Sequence, residues 1–388
     1  VPGIPWQESA MQIDRLSFKK IFFHIDKIHE YQTTGDAFPV HMLVGFTDYC
    51  NHDCIWCYTA YSTHDNFMVM EDGTRQTIEK KRDDRVVDAD VLLRFLRDAK
   101  SRGLSSIKIV GSGEPILHPQ SAEMMKEIGE MGIDFGVLGN GQLLKEEHFE
   151  ALMQYATFFR FSLDAADAET YKKLHGPSAR FDKVIENLKR LVQERKDRKK
   201  ILPTIGVQYV VSQYNVDGME PFVQLIREIG ADYVVFKPMY DNLINVNRAK
   251  NTLPVEAVLQ KLRELKPYET EHFSIYDKGG EQFRLAWSPQ RTNNEVYYKK
   301  CMAHQFVPSV YANGNLYICP NLAGRKEFVL GNIYENTLEE IWRSPKRKKA
   351  VESIDLCGKC PARCYLDPLN RILWDISNPD PAIHPTFL

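Results

Sequence analysis

Val40-His-Met-Leu-Val-Gly-Phe46, a short apolar run, leads straight into Thr-Asp-Tyr-Cys50-Asn-His-Asp-Cys54-Ile-Trp-Cys57. The run reads as a buried strand, so three thiols in C-x3-C-x2-C spacing stand on the loop at its C-terminal end. Three thiolates can hold three irons of a cubane and leave the fourth open. A closed Fe–S cluster or a structural zinc site takes four protein ligands instead. The plainer reading is three core cysteines, a residue type common in interiors.

Downstream, apolar residues alternate between helical and strand spacing. The pattern predicts helices over 87–102, 121–131, 145–155, 181–195 and 221–229, interleaved with strands over 106–110, 135–138, 158–163, 205–211 and 233–236. With the first strand this makes about six β/α units, hence a parallel sheet with helices packed outside. The expected fold class is α/β, a partial (β/α)6 TIM-like barrel whose site lies at the C-terminal strand ends. The cysteine loop sits there. The charged stretch between Thr63 and Asp90, just past that loop, reads as a lid or a solvated hairpin.

Each strand end carries a chemical marker. Gly111-Ser112-Gly113-Glu114-Pro115 follows the second strand, and Gly139-Asn140-Gly141 ends the third. On the fourth, Arg160, Ser162 and Asp164 alternate and so share one face, which should be the barrel interior. Gln208 on the fifth strand and Lys237 on the sixth point to the mouth, Lys237 beside Pro238 at its rim. Asp164 can face a ligand or cap the following helix.

A second cysteine group occupies the C-terminal fifth. Cys301 is followed by twelve residues, Gly314, four residues and Cys319, then by Cys357-Gly-Lys-Cys360-Pro-Ala-Arg-Cys364. Tyr311 to Tyr317 reads as a hairpin that brings Cys301 and Cys319 together, and a predicted helix over 337–353 returns the chain to the last cysteines. Four thiolates close one [4Fe–4S] cluster, and the same four would suit zinc. One of the five is left over.

The first loop, with Trp56 as its aromatic residue, resembles the cluster loop of the radical S-adenosylmethionine (SAM) superfamily. The second group, with Gly331-Asn-Ile333 and Leu338-x-x-Ile-Trp342 ahead of its last cysteines, resembles the twitch/SPASM-type auxiliary domain. The resemblance implies a SAM-binding [4Fe–4S] cluster on Cys50, Cys54 and Cys57, with Trp56, Gly111, Ser112, Gly113, Glu114, Asn140, Ser162, Asp164 and Gln208 around SAM. Glu114 would accept from the SAM amino group, and Ser162 would meet its carboxylate or ribose. The family's threonine at 139 is replaced by glycine. A second [4Fe–4S] cluster would sit on Cys301, Cys319, Cys357 and Cys360, with Cys364 as the alternative to one of the last pair. Left over, Cys364 becomes a possible hydrogen donor, and Lys237 a possible catalytic group. A flavodoxin- or ferredoxin-like protein would deliver the electron that cleaves SAM to a 5'-deoxyadenosyl radical, which abstracts hydrogen from the substrate.

Composition narrows the partners. The formal net charge of -2 over 388 residues, with no basic arm, argues against nucleic acid. No apolar run reaches the ~20 residues that span a bilayer, and no signal peptide is evident, so a cytoplasmic protein without membrane contact is expected. Expected domains are an N-terminal segment (1–39), the barrel (40–245), a connector (246–300) and the auxiliary domain with its tail (301–388). Only about 40 residues precede the first strand, which favours a small polar substrate such as an aminocyclitol, sugar or nucleotide-linked sugar. Dehydrogenation, dehydration or epimerisation would follow. The alternatives are a maturase of ribosomally made peptides and, in another class, a non-catalytic Fe–S electron carrier or scaffold.

Overall fold

The computed structural model describes residues 14–57, 59–60, 67–79, 83–239, 253–277, 283, 296–358, 360, 364–380 and 382. Its strands are β1 (His41–Val44), β2 (Phe67–Val69), β3 (Arg75–Thr77), β4 (Ser106–Ile109), β5 (Asp134–Gly139), β6 (Ala156–Ser162), β7 (Thr204–Val211), β8 (Tyr233–Pro238), β9 (Ser274–Tyr276), β10 (Ser309–Val310), β11 (Asn315–Tyr317) and β12 (Val329–Asn332). Ten of them form one sheet in the order β12-β11-β10-β1-β4-β5-β6-β7-β8-β9. From β10 to β9 every neighbour is parallel, and β11 and β12 continue antiparallel.

The helices between strands are α1 (Ile25–Thr34), α2 (Ala89–Ser101), α3 (Ser121–Glu130), α4 (Glu146–Tyr155), α5 (Ala168–His175), α6 (Phe181–Asp197), α7 (Met219–Ile229) and α8 (Val255–Leu265), followed by α9 (Leu338–Trp342), α10 (Pro345–Glu352) and α11 (Asp367–Ser377). Local chemistry explains their ends. The Asp88 carboxylate accepts from Val91 N at 3.0 Å and starts α2, a contact worth about 1 kcal/mol. The helix then buries Leu92, Leu93, Phe95, Leu96 and Ala99 along one stripe, where each large side chain contributes about 1.5–3 kcal/mol.

Several elements differ from the pattern reading. The polar N-terminal stretch contains a 3-10 segment (Phe18–His24) and α1, which Gly35 ends in the left-handed conformation at φ 75°. The helix expected over 337–353 is two helices. Pro345 lacks the N–H that a continuous helix needs, and the Ser344 side chain caps α10 by accepting from Arg347 N. The fourth unit holds an extra helix, α5. Its N-cap is Asp167, which accepts from Thr170 N at 2.8 Å, so Asp164 is no helix cap. Within the stretch read as a connector, β9 joins the sheet as a seventh strand running on from β1; residues 246–252, 278–282 and 284–295 of that stretch lie outside the described residues. The β2–β3 hairpin after the cysteine loop is pinned by Val69 N donating to Gly324 O at 2.8 Å.

Candidate active site

The sheet curls around a cavity of about 860 Å³. Its wall takes residues from β1 and β4 to β8, and it runs from the cysteine loop down to Lys20 in the N-terminal 3-10 segment. Cys50, Cys54, Trp56, Cys57, Gly111, Ser112, Gly113, Glu114, Asn140, Ser162, Asp164, Gln208 and Lys237 all line it. Parallel strands place their C-terminal ends together, so motifs scattered over nearly 190 residues of sequence meet at one mouth.

The three thiols of the loop converge. Burial pushes the Cys54 thiol well above its ordinary range, and charge on Cys57 and then Cys50 pushes it further. Cys50 is pushed up to about 12, first by burial and then by Glu114. Two thiols that resist ionising, with a third beside them, suit a cationic centre that takes them as thiolates. The loop is braced from α5: Asp53 N donates to His175 O at 2.9 Å and Ile55 N to Leu174 O at 3.0 Å.

The glycine turn after β4 faces this loop. A Cβ on Gly113 would stand 2.1 Å from Tyr49 O, and one on Gly111 3.1 Å from the Gly45 Cα. These glycines therefore permit close packing of the turn on the cysteine loop and the strand that leads into it. Gly113 N donates to Thr47 O at 3.0 Å and Glu114 N to Tyr49 O at 2.8 Å. Glu114 is 3% exposed. Its Oε2 accepts from Asn140 N at 2.6 Å, while Oε1 is buried without a partner. Burial raises its carboxyl to about 7, against the pull of the N–H groups of Asn140, Ile116 and Gly141. A Cβ on Gly139 would lie 2.5 Å from Glu114 Oε1, so glycine at 139 is what lets this carboxylate reach Asn140.

Asn140 is held in turn: its Nδ2 donates to Asn51 Oδ1 at 2.9 Å, and its Oδ1 accepts from Gln142 N at 2.9 Å. Gln208 Oε1 is a second buried acceptor without a partner on the cavity wall. Unsatisfied acceptors on a cavity wall mark places where a ligand with N–H or O–H groups completes the hydrogen bonding. The amino group and ribose hydroxyls of SAM are of that kind, so the wall fits SAM. Trp56 packs near Val210 and Met239.

The second cysteine group gathers beside β11. Burial raises the Cys319 thiol well above its usual range, and the thiols that add to this are Cys364, Cys301 and Cys360, in that order. Asn321 Nδ2 lies 3.3 Å from Cys364 Sγ, and Cys357 N donates to Asp355 Oδ1 at 2.9 Å. Residues 359 and 361–363 lie outside the described residues. All eight cysteines are free thiols.

The family model of the radical SAM superfamily matches residues 44–226, and that of an iron–sulfur cluster-binding domain, SPASM, matches 301–365. The chain belongs to the radical SAM superfamily. As a radical SAM enzyme with a SPASM domain it uses SAM and [4Fe–4S] clusters. It is 24% identical over 234 residues to a probable GTP 3',8-cyclase of Saccharolobus islandicus, covering 59% of this chain and 68% of the cyclase. To the antilisterial bacteriocin subtilosin biosynthesis protein AlbA of Bacillus subtilis it is 23% identical over 361 residues, 88% of this chain and 71% of AlbA. Streptococcus suis SuiB, solved bound to S-adenosylmethionine, shares the fold at TM-score 0.63 and 18% identity, over 90% of this chain and 78% of SuiB. Another SuiB structure holds its precursor peptide SuiA, at TM-score 0.62 and 17% identity, over 94% and 81% of the two chains.

Sequence reading missed His175. It stands at the end of α5, with its Nδ1 3.2 Å from Cys54 Sγ and its Nε2 3.2 Å from Asp164 Oδ2. The available signal was Tyr171, Leu174 and His175 at helical spacing, three buried residues in a stretch left unassigned. Among the described residues, no helix is long and apolar enough to cross a membrane.

Proposed function

We propose that this radical SAM enzyme modifies a peptide substrate. The observation that carries the reading is the reach of the AlbA match, 361 residues and 88% of this chain, against 234 residues and 59% for the cyclase. Similarity to a bacteriocin biosynthesis protein thus extends over far more of the chain than similarity to an enzyme named for GTP, and SuiB, which shares the fold, is solved with a precursor peptide. The volume of the cavity, about 860 Å³, is high in the ~300–1,000 Å³ range of ligand sites, which leaves room for a side chain beside SAM. The small polar substrate favoured by the pattern reading is the second choice. A bare electron carrier is set aside, since it has no use for the SAM that a radical SAM enzyme binds.

In this reading Cys50, Cys54 and Cys57 hold the first cluster, and Glu114, Asn140, Ser162 and Gln208 hold SAM. The bound cluster and SAM together supply a radical able to take hydrogen from an unactivated C–H bond. The chain's own work is to orient the substrate and exclude water. Gly113 and Gly139 keep the Glu114 carboxylate buried and aimed, and the αL turn at Asp164, φ 59°, closes β6 beside the cysteine loop. Lys237 remains at the mouth as a candidate substrate contact. Four thiols of the second group, Cys301, Cys319, Cys360 and Cys364, are the preferred ligands of the auxiliary cluster, because Cys364, Cys301 and Cys360 act on Cys319. That preference removes Cys364 as a free hydrogen donor and leaves Cys357 as the alternative ligand. A flavodoxin- or ferredoxin-like donor and a cytoplasmic setting, with its reduced thiols, belong to the same reading.

The test is 5'-deoxyadenosine formation by anaerobically reconstituted enzyme with SAM and dithionite. Candidate precursor peptides are compared with aminocyclitols, sugars and nucleotide-linked sugars. Stimulation by a peptide, with a mass change on that peptide, supports the proposal. Stimulation and turnover confined to a sugar or nucleotide refute it.

A further inference from the structure

We propose that His175 is a positioning residue that sets the reduction potential of the cluster on Cys54, and that Asp164 holds its ring for that task. The inference rests on the reading of Cys50, Cys54 and Cys57 as cluster ligands. Neither His175 nor its link to Asp164 follows from the strand-end motifs, and it is the packing of α5 on the cysteine loop that brings the three side chains together.

His175 is 1% exposed and Asp164 also 1%. The imidazole Nδ1 lies 3.2 Å from Cys54 Sγ, within reach of a hydrogen bond to sulfur. A sulfur bound to iron accepts and does not donate, so in the loaded protein the hydrogen on this line belongs to Nδ1. The opposite nitrogen, Nε2, stands 3.2 Å from Asp164 Oδ2, a close contact outside hydrogen-bond geometry. The other carboxylate oxygen of Asp164 accepts from Val210 N, and its backbone carbonyl accepts from Asn215 Nδ2 at 2.9 Å. Asp164 is thereby fixed at one carboxylate oxygen, at its backbone carbonyl and in its left-handed backbone.

The ring has no freedom to turn away. Tyr171 lies against one face at 4.3 Å between centroids, and His52 and Trp56 meet it at 5.4 and 6.0 Å, both edge-on. The backbone is equally held. A Cβ on Gly176 would be 3.1 Å from Asp53 Cβ, so the glycine after His175 is what lets the end of α5 approach the loop. Such buried, oriented donors beside a metal ligand tune the centre more than they bind it.

The step affected is transfer of one electron from a low-potential donor, dithionite or a flavodoxin-like protein, to the cluster; no bond forms or breaks. A hydrogen bond to a ligating sulfur favours the reduced, more electron-rich state and raises the potential. Removing the donor should lower the reduced-to-oxidised ratio at a fixed solution potential about tenfold, which for one electron is about 59 mV.

The experiment is a redox titration of the reconstituted full chain followed by electron paramagnetic resonance, with iron content and SAM affinity measured in parallel. Three variants are compared: His175→Phe, which keeps a ring and loses the donor, His175→Gln, which keeps an N–H, and Asp164→Asn, which suits the left-handed backbone. The expected result is unchanged iron, a lower potential in His175→Phe, a smaller fall in Asp164→Asn and a near-wild-type value in His175→Gln. An unshifted potential in His175→Phe overturns the proposal, and so does loss of the first cluster from all three variants, which would make the pair structural. If the wild type itself shows no cluster signal that responds to SAM, the ligand reading beneath the proposal fails instead.

Discussion

Glu114→Gln offers the sharpest test of how this site holds SAM. In the wild type the carboxyl is raised from its ordinary 4.5 to about 7, chiefly by burial. Because the folded value lies above the unfolded one, the protonated form favours the fold. This contribution is complete below the ordinary carboxylate range and is lost as pH rises from about 4.5 to about 7, amounting to roughly 3 kcal/mol. On the proposed assignment SAM binding works against that preference, since the SAM ammonium group would require the anion at Oε1. The wild-type affinity for SAM should therefore fall roughly eightfold on going from pH about 7.5 to about 6. The groups facing the carboxylate are the N–H groups of Asn140, Ile116 and Gly141 and the Cys50 thiol, so Glu114 is the charge that titrates toward the ligand. The glutamine variant is neutral throughout. It should bind SAM about 10–150-fold more weakly at the higher pH, the equivalent of the 1.5–3 kcal/mol of a hydrogen bond to a charged group, and should lose the pH slope. Iron content should not change, and the metal-free variant should melt higher than wild type above pH about 7 but not near pH about 4. Equilibrium dialysis with SAM at several pH values is the assay. Wild-type affinity that is flat across this range, or an unaltered affinity in the variant, would refute the reasoning.

Replacing Cys50, Cys54 and Cys57 together by Ala should remove about four of about eight irons, by ligand count, and abolish 5'-deoxyadenosine formation; product from that variant would displace the site. Cys364→Ala should also lose about four irons, from the auxiliary cluster, whereas full iron in that variant would return the fourth position to Cys357. Gly139→Ala places a methyl 2.5 Å from Glu114 Oε1, so SAM affinity should fall while iron is retained; unchanged affinity would mean that Glu114 relocates without loss.

The barrel core was legible because its strands and helices carry opposite periodicities, and because each marker sat at a strand end where parallel topology gathers them. Ser162 and Gln208 could be placed by alternation alone. The glycines could be located but not explained: that Gly113 answers to Tyr49, and Gly139 to Glu114, depends on contacts between strands far apart in sequence. His175 was hidden for a related reason. A helix of eight residues with three buried positions gives too short a pattern to separate from a loop, and its partner Cys54 lies 121 residues away. The split at Ser344-Pro345 was readable in principle, since a proline at a helix start and a serine before it are both local signals.

The division into barrel and auxiliary domain has a consequence for folding that the sheet decides. β10 pairs with β1 through Leu43 with Ser309 and Val44 with Val310, so the strand leading into the cysteine loop is flanked on one side by the C-terminal part. Trp342, 2% exposed, donates from Nε1 to Ala37 O at 2.7 Å, and Arg347 reaches Asp36 at 2.8 Å. Leu338 N donates to Asp98 on α2 at 2.9 Å, and one apolar core contains both Ile21 and Leu373. Removing residues past about 300 would strip β1 of a neighbour and uncover apolar surface, a combination that promotes association. The metal-free chain should therefore unfold in one calorimetric transition whose van't Hoff and calorimetric enthalpies agree, and a fragment ending near residue 300 should aggregate. Bound clusters would blur the comparison, which is why the metal-free protein is the right sample. Two separated transitions, or a soluble monomeric fragment with native secondary structure, would show that the C-terminal part is an independent domain and that the β1–β10 ladder contributes little to holding the cysteine loop.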